Sequence, residues 1–512
     1  MIIVNGVEIL LIVAVGIAVS AAARRRGIEP GLVIVVLAAA ASFVPGVPRL
    51  ELESELILAI VVPPLLYSAA RGAAVTNLGA NMRPILTLGV LLVVLTAGAL
   101  GVLSSWLLPS IGLAAAFVLG SVLAPPDTIT TVSHGDEIGL PKRVTSILTG
   151  ESLVNDATAL TLFTIAVAAV GGEQATWSGG IVRFLYNAIA GAIIGGLFGV
   201  AALWVRKRLG NATLETALVL LVPFTAFLVA EEAGASGILA VVVASVSISV
   251  NITMDPRHQY PGAYRTRLQE GAVWPVVDFL LETFVFAYIG LQLKFVLEEL
   301  ASSAEPGLVR TLVAAGVLLV AAIVLRIVAV AGLFGRWTLK LHLLSRRLEH
   351  NEALRKRYAT RLERQSRRGR RPFEPPTGKE TLLVGWIGMR GILTLAAAAA
   401  VPATTPSGEE FPGRDAVQAI ALIVTLGTLL IQGTTLKRLI RALGIDPASE
   451  AATAAERRAT AAGIVAATDP DDYPAQRTAL GRAVAERRLD EQTARGMIEE
   501  IDLRQAADDT RH

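Results

Sequence analysis

Long apolar runs recur along this chain. They cover residues 5–23, 29–46, 52–70, 84–108, 111–133, 143–170, 179–204, 213–232, 235–252, 272–297, 308–333, 380–401 and 415–434. About twenty such residues, helical, span the hydrocarbon of a bilayer. Lipid offers no partners for backbone polar groups, so each run must satisfy its own as a helix. The spacing predicts an all-α polytopic membrane protein of about 13 transmembrane helices. A β-barrel would show roughly ten-residue alternating segments instead. The composition agrees, with 53% hydrophobic residues and a mean hydropathy of +0.59. The first run has no charged leader and no obvious cleavage site, and reads as a retained span.

Basic residues orient the spans. Arg24–Arg26, Arg71, Arg83, Lys142, Arg143, Arg206–Arg208, Arg257, Arg265, Arg267, Lys437, Arg438 and Arg441 all fall on one side if the number of spans is odd. The loop from Arg336 to Lys379 adds fourteen Lys/Arg against four Glu on that side. Arg49, Lys294 and Arg310 are exceptions. The reading is a multi-pass protein of the cell membrane, of bacterial inner-membrane type, with its N-terminus outside and its C-terminus cytoplasmic. The stretch 335–379 reads as a basic cytoplasmic loop with a helical part. It anchors the orientation and suits anionic lipid. Residues 446–512 form an Ala-rich cytoplasmic tail of mixed charge. Neither shows a nucleic-acid-binding motif. The chain has no cysteine, which excludes disulfides and thiol chemistry. Its five histidines form no metal-binding spacing, and no cofactor is implied.

Charged groups inside spans mark pathways or proton relays. Here they are Asp127 in span 5, Glu151 and Asp156 in span 6, and Glu231 and Glu232 at the end of span 8. Asp278 and Glu282 lie in span 10, Arg326 in span 11 and Arg390 in span 12. In GESLVND, Ser152 and Asp156 are four residues apart and share a helix face, with Asn155 beside them. The three offer oxygens to one side, as a hard monovalent cation requires. A carboxylate withdrawn from water also holds a proton more readily. A group that takes either species is the minimal device for exchange. Glu151 and Asp156 point about 140° apart, which disfavours a hydrolytic dyad. Glu151 reads as a buttress held by an ion pair.

Span 5 carries Pro125 and Pro126 just before Asp127. Prolines in mid-span break the helical ladder, as a kink or where a cavity is lined. Span 12 loosens at Gly385, Gly388 and Gly391 around Arg390. Two interrupted spans seven apart imply inverted repeats, spans 1–6 and 8–13, with discontinuous spans 5 and 12 crossing. An Asp127–Arg390 pair at that crossing is expected. Glu231, Asp278 and Glu282 read as funnel, proton-access or inter-domain residues, not separable here. His134, Asp136 and Glu137 form a polar loop at the cytoplasmic mouth, where a histidine titrates near neutral pH.

GESLVNDATAL, LAPPDTITTV, AEEAGASGILAVVVA, ETFVFAYIGLQL, VLRIVAVAG and GMRGILTLA, in this order over about residues 5–440, resemble the monovalent cation:proton antiporter family of sodium/proton exchangers. The resemblance implies two inverted six-helix repeats joined by span 7, usually as a homodimer. Spans 1–3 and 8–10 would form a dimerisation part and spans 4–6 and 11–13 a moving core. It implies Asp156 as the Na⁺- and H⁺-binding residue, supported by Asn155 and Ser152, with Glu151 bridged to Arg326. The asparagine before Asp156 implies electroneutral one-for-one exchange. Two positions depart from the family pattern. Pro126 stands where a threonine is frequent, which leaves K⁺ or Li⁺ open beside Na⁺. Ser68 stands where an acid is frequent. A channel or sensor is the alternative of a different class, distinguished by single-channel conductance.

Overall fold

In the computed structural model, the described residues are 2–28, 30–45, 47, 59–72, 82–127, 140, 142–172, 177–254, 260, 262–302, 307–351, 376–405, 407–444 and 447–511. The regular elements among them are helical. An isolated bridge joins Thr404 and Glu410.

The first helices are α1 (Ile2–Arg25), α2 (Pro30–Ser42) and α3 (Val62–Gly72). Helix α4 is composite: Met82–Leu86, a π-helical stretch Thr87–Leu92, then Val93–Leu107. There follow α5 (Gly112–Leu123), α6 (Lys142–Val170), α7 (Trp177–Leu209), α8 (Ala212–Glu232), α9 (Gly237–Met254), α10 (Ala263–Ser302) and α11 (Leu308–His350). Helix α12 has two halves, Gly378–Trp386 and Ile392–Ala399. Helix α13 runs Arg414–Thr428, has a π-helical stretch Leu429–Gly433, and ends with Thr434–Leu443. Among the described residues, seven helices are long and apolar enough to cross a membrane: α6, α8, α10 and the apolar parts of α4, α7, α11 and α13. Shorter apolar helices lie at Pro30–Ser42, Pro109–Leu123 and Gly237–Thr253.

Helix ends follow local chemistry. Asn211 opens α8 by accepting from the N–H groups of Thr213 and Leu214, at 2.9 and 3.1 Å. Thr377 and Glu380 form a reciprocal cap at the start of α12. Helix α11 continues through Arg336 and Lys340 to His350, so the first part of the basic loop is helical. The stretch 352–375 lies outside the described residues, as do His134, Asp136 and Glu137.

Packing falls into two groups. In one, α2 lies along α10, α7 along α9, and α9 against α3 and α8. In the other, α4 and α6 hold α5, and α11 holds α13 and the first half of α12. The second group has its own core, with Leu100, Leu119, Leu318, Val417 and Ile420. Where the groups meet, Tyr67, Trp274 and Val241 of the first share a cluster with Met389, Leu395 and Leu422 of the second. Backbones approach closely where a side chain is missing. A Cβ on Gly195 of α7 would fall 2.2 Å from the Ala240 carbonyl of α9.

Beyond α13 the chain folds as α14 (Pro447–Ala466), α15 (Tyr473–Ala485) and α16 (Glu491–Asp509). They bury Val465, Leu480, Val484, Met497 and Ile501 among themselves.

Candidate functional site

Helix α6 brings four polar residues of GESLVND into the protein interior. Glu151 and Asn155 are fully buried, and Ser152 and Asp156 are 4% and 6% exposed. The helix tolerates its threonines because their hydroxyls bond back one turn, Thr158 to Val154 and Thr161 to Ala157, each at 2.8 Å. Glu151 receives a two-pronged bond from Arg326 of α11, Nη1 to Oε1 at 2.6 Å and Nη2 to Oε2 at 3.1 Å. The third donor of that guanidinium, Nε, goes to the Ile387 carbonyl at 3.0 Å, inside the break of α12. Room for the arginine exists because residue 388 is glycine. A Cβ there would sit 2.1 Å from Arg326 Cδ.

The end of α5 and the break of α12 meet beside this pair. Helix α5 stops at Leu123, the Ala124 N–H bonds back to the Ser121 carbonyl at 3.4 Å, and Pro125–Asp127 run non-helical; the second half expected for span 5 lies outside the described residues. The Asp127 N–H donates to the Met389 carbonyl at 2.6 Å, joining the two interrupted backbones. Arg390 is almost fully buried, and its Nε donates to the Leu123 carbonyl at 2.8 Å and its Nη1 to the Gly388 carbonyl at 2.5 Å. The positive charge thus closes the C-terminal end of α5, where orphan carbonyls and the helix dipole favour it. Asp127 lies across Gly391; a Cβ on that glycine would overlap Asp127 Oδ2 at 1.6 Å. Arg390 and the Asp127 N–H are thus linked to backbone carbonyls of α5 and of the break in α12.

Helix α13 supports the same place. Thr428 Oγ1 accepts from the Arg390 N–H at 2.9 Å, and Gln432 Nε2 donates to the Trp386 carbonyl at 2.8 Å. Thr428 immediately precedes the π-helical stretch, and Gln432 lies within it. The wider turn presents both to the break. The π-helical stretch of α4 likewise abuts α6, where Gly89 packs on Val154.

Asp156 stands apart from these locks. Among the described residues the guanidinium groups of the crossing go to Glu151 and to carbonyl oxygens, and none is paired with Asp156. Its neighbour Asn155 donates Nδ2 to the Pro126 carbonyl at 2.8 Å. That bond turns the other amide atom, Oδ1, inward as a buried acceptor without a hydrogen-bond partner. Asp127 is within electrostatic reach of Asp156. Ser152, Asn155 and Asp156 thus stand as buried polar residues within two turns of α6.

The remaining acids separate by their contacts. Glu231 Oε1 accepts from the Gly237 N–H at 2.9 Å and so holds the start of α9. Asp278 Oδ2 accepts from Ser68 Oγ at 2.5 Å across α3 and α10, and its Oδ1 is buried without a hydrogen-bond partner. Glu282 is half-buried one turn further along α10.

A second charged cluster is not apparent from any spacing in the sequence. Arg206 at the end of α7 pairs with Glu215 of α8 at 3.4 Å and Glu270 of α10 at 2.9 Å. Glu215 also accepts from Thr266 Oγ1 at 2.8 Å and from the Tyr260 hydroxyl. Burial and that bond to Glu215 push the Tyr260 hydroxyl up to about 12. An acid in the first turn of span 8, facing the basic end of span 7, was the available signal.

The end of α5 meets the break of α12 among buried charges, an arrangement that suits a helical membrane transporter. The sequence profile of the transmembrane sodium/hydrogen exchangers matches residues 8–442. The chain belongs to that family. A Na(+)/H(+) exchanger of Escherichia coli K12, itself uncharacterised, is 32% identical over 394 residues, which are 75% of this chain and 66% of the relative. A sodium, potassium, lithium and rubidium/H(+) antiporter of Bacillus subtilis is 27% identical over 397 residues, 77% of this chain and 54% of the relative. The fold is similar to that of the sodium proton antiporter MjNhaP1 of Methanocaldococcus jannaschii, with a TM-score of 0.62 at 14% identity, over 86% of this chain and 99% of that one.

Proposed function

We propose that the protein exchanges Na⁺ for H⁺, one for one, with Asp156 as the site that both share. The observation that carries this reading is the contrast within α6. Glu151 is held by Arg326, whereas none of the guanidiniums of the crossing is paired with Asp156, and Asn155 beside it in sequence carries a buried oxygen without a hydrogen-bond partner. A carboxylate with a fixed arginine has little use for a second cation. One without a fixed cation binds either Na⁺ or a proton, and each excludes the other. Na⁺ enters from the cytoplasm, the basic end, and leaves outside; the proton returns on the same carboxylate.

The packing supports a division in which α4–α6 and α11–α13 move against α1–α3 and α8–α10, with α7 as the connection. The two interrupted helices fit inverted repeats over spans 1–6 and 8–13, within about 13 membrane crossings. A homodimer, an outside N-terminus and anionic lipid at the basic end belong to the same reading. Ser152, Asn155 and Asp127 surround the ion. Asp278, beside Ser68, is the access acid, because its one bond is to a neutral hydroxyl. Glu231 serves α9.

Pro126 offers only its carbonyl, already taken by Asn155, so the ion set has few fixed members. That opens K⁺ or Li⁺ as substrates, in keeping with the Bacillus relative's name. The deciding experiment is proteoliposome exchange with Na⁺, Li⁺ and K⁺ across pH, wild type beside Asp156→Asn. The wild type should move protons in response to Na⁺, and Asp156→Asn, folded and inserted, should not. Normal exchange by Asp156→Asn sinks the assignment.

A further inference from the structure

Helices α14–α16 dock on the basic end of the first helix group, chiefly on α9 and α10. The contact is made of specific charged bonds. Arg267 of α10 grips Asp502 of α16 with Nε and Nη2, each at 2.7 Å. Asp502 also accepts from Arg477 of α15 at 2.7 Å and is itself 1% exposed. Burial and the neighbouring Asp502 and Arg267 charges act on Arg477, with burial dominant and the net direction downward. One carboxylate therefore holds two guanidiniums, one from each side of the contact.

A second anchor reaches the end of α3. Arg495 Nη1 donates to the Arg71 carbonyl at 2.8 Å and to Ser249 Oγ of α9 at 2.9 Å, while Nη2 pairs with Glu491 at 2.6 Å. The Arg71 carbonyl is one of the orphans of the last turn of α3. At the periphery Tyr264 bonds Asp509, and Arg265 pairs with it at 3.4 Å.

The chain connection runs to the other group. Helix α13 closes at Gly444 in a left-handed turn, and α14 begins at Pro447. Three Cα steps span at most about 11 Å. The bundle is thus tied covalently to α13, by a buried ion pair to α10, and by hydrogen bonds of Arg495 to α3 and α9. From this geometry we infer that the C-terminal bundle is a latch across the two helix groups, docked in one transport state and released in the other. The inference rests on the exchange cycle proposed above, in which these groups move relative to each other. A short tether cannot follow both bodies through a large displacement, so the ion-paired face must open.

The absence of cysteine makes the test clean. Arg265→Cys and Asp509→Cys, at an exposed point of the contact, are joined with a cleavable bis-maleimide in the full-length protein in proteoliposomes. Cross-linking should slow Na⁺-driven proton exchange at least about tenfold, and cleavage should restore it. Arg267→Gln leaves the Asp502–Arg477 bond within the bundle and should speed exchange with unchanged Na⁺–H⁺ competition. Exchange at the same rate before and after cleavage overturns the latch. Hydrogen exchange gives a readout independent of transport: α12 and α13 should be protected in the linked protein relative to the cleaved one, and equal protection overturns the latch as well. Vesicles that move no cation in either form count against the antiport reading, and hydrogen exchange then decides the latch alone.

Discussion

Two clusters of buried charge lie in this molecule, and they are built differently. At the basic end, Arg206, Glu215 and Glu270 form a network in which Glu215 takes bonds from an arginine, a threonine and a tyrosine. At the helix crossing, Arg326 saturates Glu151, Arg390 is spent on carbonyls, and neither guanidinium is paired with Asp156. A network of paired charges holds helices together, because removing one partner strands the others in low dielectric. A buried carboxylate without a fixed cation can exchange its occupant. The contrast separates charges that stabilise from the one proposed to carry the ion.

Substitutions can break this contrast at several points. The largest effect on transport is expected from Asp156→Asn, which should abolish exchange while the thermal midpoint in detergent stays near or above that of the wild type. A large loss of stability would place Asp156 with the structural charges instead. Gly391→Ala should be nearly as damaging, since its Cβ would overlap Asp127. Low expression or lost exchange is the expected result, and full activity would show that the crossing relaxes easily. Arg326→Ala should destabilise by about 3–5 kcal/mol by leaving Glu151 buried alone. The measurement is unfolding in denaturant, and the double variant with Glu151→Leu should recover part of the loss. Glu215→Gln should cost about 1–3 kcal/mol while leaving the pH dependence of Na⁺ competition unchanged. A shifted competition profile would mean that the basic-end network reaches the ion site. The smallest effect, about 1 kcal/mol or less, is expected for Ser68→Ala, which removes one donor from Asp278. Its readout is the pH profile of exchange: a displaced profile supports Asp278 on the access path, and an unmoved one removes it.

pH alone should sharpen the same distinction. Proton and Na⁺ compete for one carboxylate, so lowering the pH should raise the Na⁺ concentration needed for half-maximal exchange. Below the range in which the carboxyl loses its proton, that concentration should rise about tenfold per pH unit. Maximal rate at saturating Na⁺ should change less. A pH effect confined to the maximal rate would argue against a shared site.

Much of the crossing was readable before any coordinates. Pro125 and Pro126 marked where α5 stops, and Gly388 and Gly391 around Arg390 marked the break in α12, because proline removes a helical donor and glycine weakens the helix locally. The four-residue spacing of Ser152 and Asp156 placed them on one face of α6. Other features were hidden. Nothing local signals the π-helical turns at Thr87–Leu92 and Leu429–Gly433, which coincide with contacts to α6 and to the break in α12. Arg206 read as one of many orienting basic residues, and its pairing with Glu270 joins residues far apart in the chain. The sequence marks 446–512 only as an Ala-rich tail of mixed charge, whereas its grip on Arg267 and Arg71 depends on surfaces that exist only after α3, α9 and α10 have packed.

The sequence by itself determined a helical membrane protein, because lipid allows an apolar segment few other ways to satisfy its backbone. It also picked out the residues whose charge is too costly in hydrocarbon to lack a purpose. The tertiary structure alone decided which charges are neutralised. Whether a buried carboxylate meets an arginine, as Glu151 meets Arg326 of α11, is a property of side chains delivered by distant helices.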